Sequence, residues 1–445
     1  MKDLKIFALI MFLLLFSIIN TQDAQNLSPN KTVLTNCVVI DCTGNPPMED
    51  MTVVIAGNTI EEIRQGLYNP SHDEKDVRVI NLKGGYVLPG LWNVHTHLGD
   101  LLPDPKKIQD NEPLPPALIR AGRNCMDGIK RGFTALRNVG ERDYDDIFWR
   151  DTFDAGVFVG PRIFASGYGI SKSKRYGSRP GSFHIGVTNA AEVEKAILEN
   201  IENGVDIIKI FADRFDQDEL EIAIKTAHDN GKRITAHAAE PAAAKAVAAG
   251  IDCIEHGYRL TDETINLMAK KGTYYCPTIV CNLSAGYIAE RESKIAELGL
   301  PQDPVVVKGR VLVAYADERS DEMALKQREI LKKAVDAGVT ICNGSDSNPV
   351  GEIGLLEIEQ LVFSGMTEMQ ALIASTRNCA DLCEVLDKLG TVEEGKIADL
   401  IVVSDNPLDN ISNLRALKMV FKDGKKVNLG KNEGQTSFWK LYFLE

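Results

Sequence analysis

Four times in this chain a helical stretch ends on a glycine and runs directly into a short apolar segment. The endings are Asp229-Asn230-Gly231, Ala248-Ala249-Gly250, Lys270-Lys271-Gly272 and Asp336-Ala337-Gly338. The segments that follow cover residues 233–237, 251–256, 274–278 and 339–346. Glycine suits the left-handed cap that closes a helix. The segments are short and do not alternate, the pattern of a strand buried on both faces. Helices alternating with such strands predict βα units and a parallel sheet. Residues 87–98, 134–140, 162–167 and 206–212 bring the candidate strands to eight, the number that closes a (β/α)8 TIM-like barrel. An open doubly wound sheet is the rival, but it would not gather distant strand ends at one point.

The flanks read differently. Residues 31–86 and 385–430 hold short alternating runs separated by turn pairs such as Gly57-Asn58 and Asp423-Gly424, which is hairpin chemistry. The α/β chain is therefore expected to hold a barrel over 87–384 and a small β-sandwich domain built jointly by the two flanks. At the start, Lys2 and Lys5 precede an apolar run of 14 residues, from 6 to 19, and then polar residues. A membrane span needs about 20 residues, so residues 1–24 read as a signal peptide of an exported protein, periplasmic or secreted, with no stable membrane span after cleavage. An uncleaved anchor is the alternative. Residues 431–445 form a tail that turns aromatic at Phe438-Trp439-Lys440-Leu441-Tyr442-Phe443 and is expected to dock on the body or on a partner.

The net charge of -13 argues against nucleic acid, whose binders need a basic stripe. The nine cysteines are an odd number, so not all can pair within one chain. Cys253, Cys276 and Cys342 lie in apolar runs, where cysteine acts as a small hydrophobe. The close pairs Cys37/Cys42, Cys276/Cys281 and Cys379/Cys383 leave a disulfide open.

The chemistry gathers at strand ends. His95 and His97 are two apart on a strand, so they share a face and can hold one divalent ion. Lys209 sits inside Ile207-Ile208-Lys209-Ile210-Phe211, where an ammonium loses hydration and its pKa falls. The neutral amine can then take up carbon dioxide to give a carbamate whose two oxygens bridge two cations; a lysine paired with a barrel carboxylate is the plainer reading. His237 and His256 lie one βα unit apart. Asp346 ends the last strand, where an aspartate can ligate a metal and exchange a proton with bound water, or simply cap the next helix. Four of the chain's seven histidines fall in this set.

These motifs, in this order, resemble the amidohydrolase superfamily, and in particular its imidazolonepropionase-like branch that includes Xaa-Pro and Xaa-Arg dipeptidases. The resemblance runs from about Thr35 to Val427. It rests on Leu88-Pro89-Gly90-Leu91 with His95-Thr96-His97, Ile208-Lys209-Ile210, Ala236-His237-Ala238, Glu255-His256-Gly257, Gly344-Ser345-Asp346, and a closing run from Gly390 to Leu400. It implies one metal on His95, His97 and Asp346, a second on His237 and His256, and carboxylated Lys209 between them. It further implies a metal-bridging hydroxide as nucleophile, with Asp346 as the catalytic proton carrier. Two divalent ions are implied, zinc first among them, since imidazole and carboxylate suit it. The activity implied is hydrolysis of a C–N bond in an amide or dipeptide-like small molecule. A deaminase or cyclic-amide hydrolase on the same barrel is the alternative, and a non-catalytic binding protein a more distant one.

Two loops depart from the branch. Residues 171–184 lack its Gly-Gly-His element, and Phe211-Ala212-Asp213-Arg214-Phe215 replaces its small-residue turn. Lys172, Lys174, Arg175 and Arg179 in the first loop are candidates for a substrate carboxylate, and His184 for another substrate contact; a solvated basic loop is the plainer reading. A homo-oligomer is compatible with all of this.

Overall fold

The computed structural model describes residues 31–68, 76–100, 114–178 and 181–429, apart from 308, 312 and 314. The expected signal peptide (1–24), the tail (431–445) and Arg179 lie outside the described residues.

In chain order the strands are β1 (Lys31–Val39), β2 (Met48–Ala56), β3 (Thr59–Gln65), β4 (Val77–Pro89), β5 (Leu91–Thr96), β6 (Phe133–Asn138), β7 (Arg162–Phe164), β8 (Gly169–Lys172) and β9 (His184–Val187). They continue with β10 (Ile208–Phe211), β11 (Ile234–Ala239), β12 (Cys253–Tyr258), β13 (Tyr274–Cys276), β14 (Val306–Val307), β15 (Arg310–Val311), β16 (Leu400–Val403), β17 (Leu417–Lys422) and β18 (Lys425–Lys426).

The flanks do come together, but as one seven-stranded sheet in the order β18-β17-β16-β4-β1-β2-β3 rather than as the two sheets of a sandwich. The long β4 is the reason. It pairs in parallel with β1 along one edge and antiparallel with β16 along the other, Pro89 facing Leu400 and Val87 facing Val402. The sheet buries Leu34, Val53, Ile55, Val87, Leu400 and Phe421 in a core of its own.

The central strands are all parallel to their neighbours, and helices lie between most of them, as the glycine-capped repeat predicts. Gly250 and Gly272 close their helices at φ 100 and 72. The strands fall into a three-stranded sheet, β5-β6-β7, and a six-stranded sheet, β13-β12-β11-β10-β8-β9. β8 and β9, at the two ends of the 171–184 loop, are not among the eight expected strands. The eighth expected strand, 339–346, makes one isolated parallel bridge, Tyr275 to Ile341, and is not a strand of either sheet. Side chains join scattered backbone bonds in place of a regular ladder. Asn343 donates to the carbonyl of Trp92 at 2.8 Å, and Ser345 N–H donates to Asn93 Oδ1 at 3.1 Å. Backbone bonds flank these, Val94 N–H to Asn343 O and Cys342 N–H to Tyr275 O, both 2.9 Å. On the opposite side Asp206 N–H donates to Ala165 O at 2.8 Å, tying the end of β7 to the start of β10.

All nine cysteines are buried and free, so none of the close pairs is a disulfide. Among the described residues no helix is long and apolar enough to cross a membrane.

Candidate metal centre

β5 delivers His95 and His97 to one end of the central strands. His95 is sealed from solvent, and His97 is partly covered. Each ring is held by its Nδ1. That of His95 lies 2.7 Å from Glu255 Oε2, and that of His97 lies 2.9 Å from the carbonyl oxygen of Gly140. Both partners accept, so in the neutral form of each ring Nδ1 carries the proton and Nε2 is the nitrogen left to ligate. The two Nε2 atoms converge on Asp346 Oδ1, at 3.4 Å from His95 and 3.2 Å from His97. Nε2 of His95 is buried with no hydrogen-bond partner. A buried orphan beside a carboxylate is the environment a cation fills, so these residues fit a divalent ion. The ligand atoms of His95, His97 and Asp346 all lie within 4.8 Å of one another.

Before a cation binds, this corner favours a protonated His97 ring paired with the Asp346 carboxylate, and a cation would displace the Nε2 proton. Burial would favour the neutral acid at Asp346, yet His95 and His97 hold its carboxyl well below the usual range. Burial works against the charged ring at His97, but Asp346 lifts it to about 9.

The other expected ligands border this group. The ring centroids of His95 and His256 are 4.8 Å apart, and those of His256 and His237 are 4.5 Å apart. Thr278 Oγ1 lies 2.6 Å from His256 Nδ1, and Tyr258 stacks on the same ring. His237 Nε2 faces Asp213 Oδ2 at 3.5 Å. Lys209, on β10, is 1 % exposed, and its Nζ lies 5.3 Å from the ring centre of Phe211. Burial lowers its pKa, against the pull of Glu255 and Asp346. His256 at φ 64, Thr278 at φ 46 and Asp346 at φ 49 all hold left-handed backbone that costs non-glycine residues energy. Residues held this way cluster at functional sites.

Beside His237 opens a cavity of about 480 Å³, lined by Lys172, Arg175, Phe183, His184, Phe211 and Arg214 among others. His184 therefore does face the cavity, packed against Phe183 and Phe211. Arg175 is exposed at its rim. Lys172 is paired with buried Glu219. The reading of the sequence missed Arg214 and Asp213, although both stand in the loop marked as a departure. It also gave no role to Glu255, to Arg137 or to Cys281, whose Sγ lies 3.3 Å from Asp346 Oδ2.

Known proteins share this frame. Ochratoxinase of Aspergillus niger is 25% identical over 382 residues, covering 76% of this chain and 75% of that protein. A crystal structure of a Xaa-Pro dipeptidase with bound methionine in the active site superposes with a TM-score of 0.74 at 29% identity, covering 89% of this chain and 100% of that one. A prolidase complexed with N-methylphosphonate-L-proline superposes with a TM-score of 0.73 at 25% identity, covering 89% and 99%. The Amidohydrolase family model matches residues 86–427, which span every residue of the site described above. On that match, and on the order of its histidine, lysine and aspartate motifs, this chain belongs to the amidohydrolase family.

Proposed function

We propose that this protein hydrolyses the C–N bond of dipeptides or N-acyl amino acids at a centre of two divalent cations, zinc first among the candidates. The observation that carries the reading is the convergence of His95 and His97 on Asp346 with both Nδ1 atoms already engaged. His95, His97 and Asp346 would hold one ion, and His237 and His256 the other, with Lys209 as a carbamate between them. When bound, such ions supply an activated water and polarise a carbonyl. The chain's own part is to place and move protons. Asp346 is the one ligand carboxylate, so it is the group that takes a proton from the attacking water and passes it to the leaving nitrogen. The central strands are read as a closed barrel of eight. That reading draws on the backbone bonds from β5 and β13 to residues 339–346 and from β7 to β10.

The leaving side is read as anionic. Arg175 and Arg214 line the cavity next to His237, whereas Lys172 is engaged by Glu219. Relatives named as a dipeptidase and as a prolidase support the same class. We further read residues 1–24 as a signal peptide, so that the mature enzyme acts outside the cytoplasm; its basic start and apolar run support this.

The test is a screen of zinc-loaded protein against dipeptides and N-acyl amino acids, each paired with its C-terminal amide. Hydrolysis of the free acids is expected, with Arg214→Met raising KM for them roughly tenfold and leaving the amides unaffected. No cleavage of any C–N bond would defeat the proposal.

A further inference from the structure

Arg137 sits on β6 with a guanidinium that is 2 % exposed. Its side chain runs inward and crosses to β12 in the other sheet. There its Nη2 donates to Glu255 Oε1 at 2.5 Å. On the near side its Nε donates to the backbone carbonyl of Val94 at 2.6 Å. Val94 immediately precedes His95, and the second oxygen of Glu255 is the one that holds His95 Nδ1 at 2.7 Å. One guanidinium thus grips both the peptide before His95 and the carboxylate that orients the His95 ring. Thr235 Oγ1 also donates to Glu255 Oε1, and Cys253 Sγ lies 3.4 Å from it.

Stability does not explain this arrangement. Burying two opposite charges carries a desolvation penalty of several kcal/mol per ion, and a packed apolar pair of similar volume is often as stable or more so. Nor would any cation serve. Only a planar fork with donors at fixed angles reaches a backbone oxygen and a carboxylate in different sheets at once.

We infer that Arg137 is a positioning residue: through Glu255 it holds His95 with Nδ1 protonated and Nε2 bare toward His97 and Asp346, and so sets how tightly that corner binds a divalent cation. The inference rests on the proposal that His95, His97 and Asp346 ligate a metal.

Arg137→Lys in the full chain tests it. Zinc affinity is measured by titrating chelator-stripped protein against a competing chromophoric chelator. Histidine tautomers are read by 15N NMR, melting by the metal-free protein, and kcat and KM separately. Zinc binding is expected to weaken roughly 10- to 100-fold, with loss of the Nδ1–H signal of His95. The rate effect is expected in kcat, with KM within about twofold. A lower melting temperature with unchanged zinc affinity and tautomer would overturn the role, because a merely structural strut predicts that result. If Arg137→Lys does not fold, the charge-neutral pair Arg137→Met with Glu255→Gln is used; zinc affinity equal to wild type there overturns the role equally. Wild-type protein that binds no zinc would remove the metal-centre reading, and this role with it. Normal wild-type binding beside an unaffected variant removes the Arg137 role alone.

Discussion

Cys281 donates its thiol hydrogen to Oδ2 of Asp346 across 3.3 Å, while Oδ1 of the same carboxylate faces the Nε2 atoms of His95 and His97. Burial, with the Asp346 charge beside it, pushes the Cys281 thiol well above its ordinary pKa, so the proton stays on sulfur. The two oxygens of Asp346 are therefore distinguished: one aims at the histidines, the other is tied back.

Asp346→Asn keeps the shape and the tie but cannot take a proton. Turnover should fall by about 10²–10⁴, the usual worth of a positioned acid–base group, while zinc, measured by elemental analysis, is retained in part. A variant with full kcat would remove Asp346 as proton carrier.

Lys209→Ala should abolish activity, because nothing else on β10 reaches from one histidine group to the other as an anion. Short carboxylic acids added to the variant should restore part of the rate by standing in for the carbamate. Activity unchanged by the substitution would end the bridging role.

Gly344 has room for no side chain. A Cβ there would strike Cys276 Sγ and come within 2.6 Å of the His95 Cβ and 2.9 Å of the His95 backbone nitrogen. Gly344→Ala should therefore push residues 343–346 away from β5 and separate Asp346 from His95. The expected signature is weakened zinc binding together with a lowered melting temperature. Overpacked cores typically lose about 1–3 kcal/mol, and a variant with wild-type melting and zinc affinity would contradict the close approach.

Stability should depend on pH through Glu141. Burial raises its carboxyl from 4.5 to about 8, and the charges of Asp145 and Asp146 add to this. Between those values the folded chain keeps a proton that the unfolded chain has released. This group's stabilisation is thus fully present below about 4.5 and lost as pH rises through about 8. Each unit of displacement is worth about 1.4 kcal/mol. Glu141→Gln should flatten the fall in melting temperature between pH 5 and pH 9, read by calorimetry, since the amide does not titrate. Identical slopes for the two proteins would show that Glu141 does not carry the effect.

What could be read from the chain beforehand follows a physical line. The proposed ligand residues stood out because each ends an apolar run, where a polar group needs a reason to be. Glu255 meets the same criterion, buried in β12, yet it took no role because its partners are remote. Arg137 and His95 lie on other strands, 118 and 160 residues away. Cys281 hid for a related reason: a thiol in an apolar stretch looks like packing until a carboxylate is found beside it. In the flanks the alternating pattern marked strands correctly, but the number of sheets depends on which edges meet. That is settled by β4 pairing on both sides, which no local pattern encodes. The segment 339–346 has strand-like composition, but beside its backbone bonds Asn343 and Ser345 engage β5 through their side chains, and it forms no regular ladder.

The seam between β4 and β16 has a consequence for how the protein is made. Pro89 must wait for Leu400, about 300 residues later in synthesis, before its edge is covered. Until then a nascent chain presents Val87 and Leu88 on an open strand edge, a template for pairing with neighbours. A message cut short before residue 400 would yield not a smaller enzyme but a fragment prone to clump, and the last strands act as the clasp that makes the whole product safe to release.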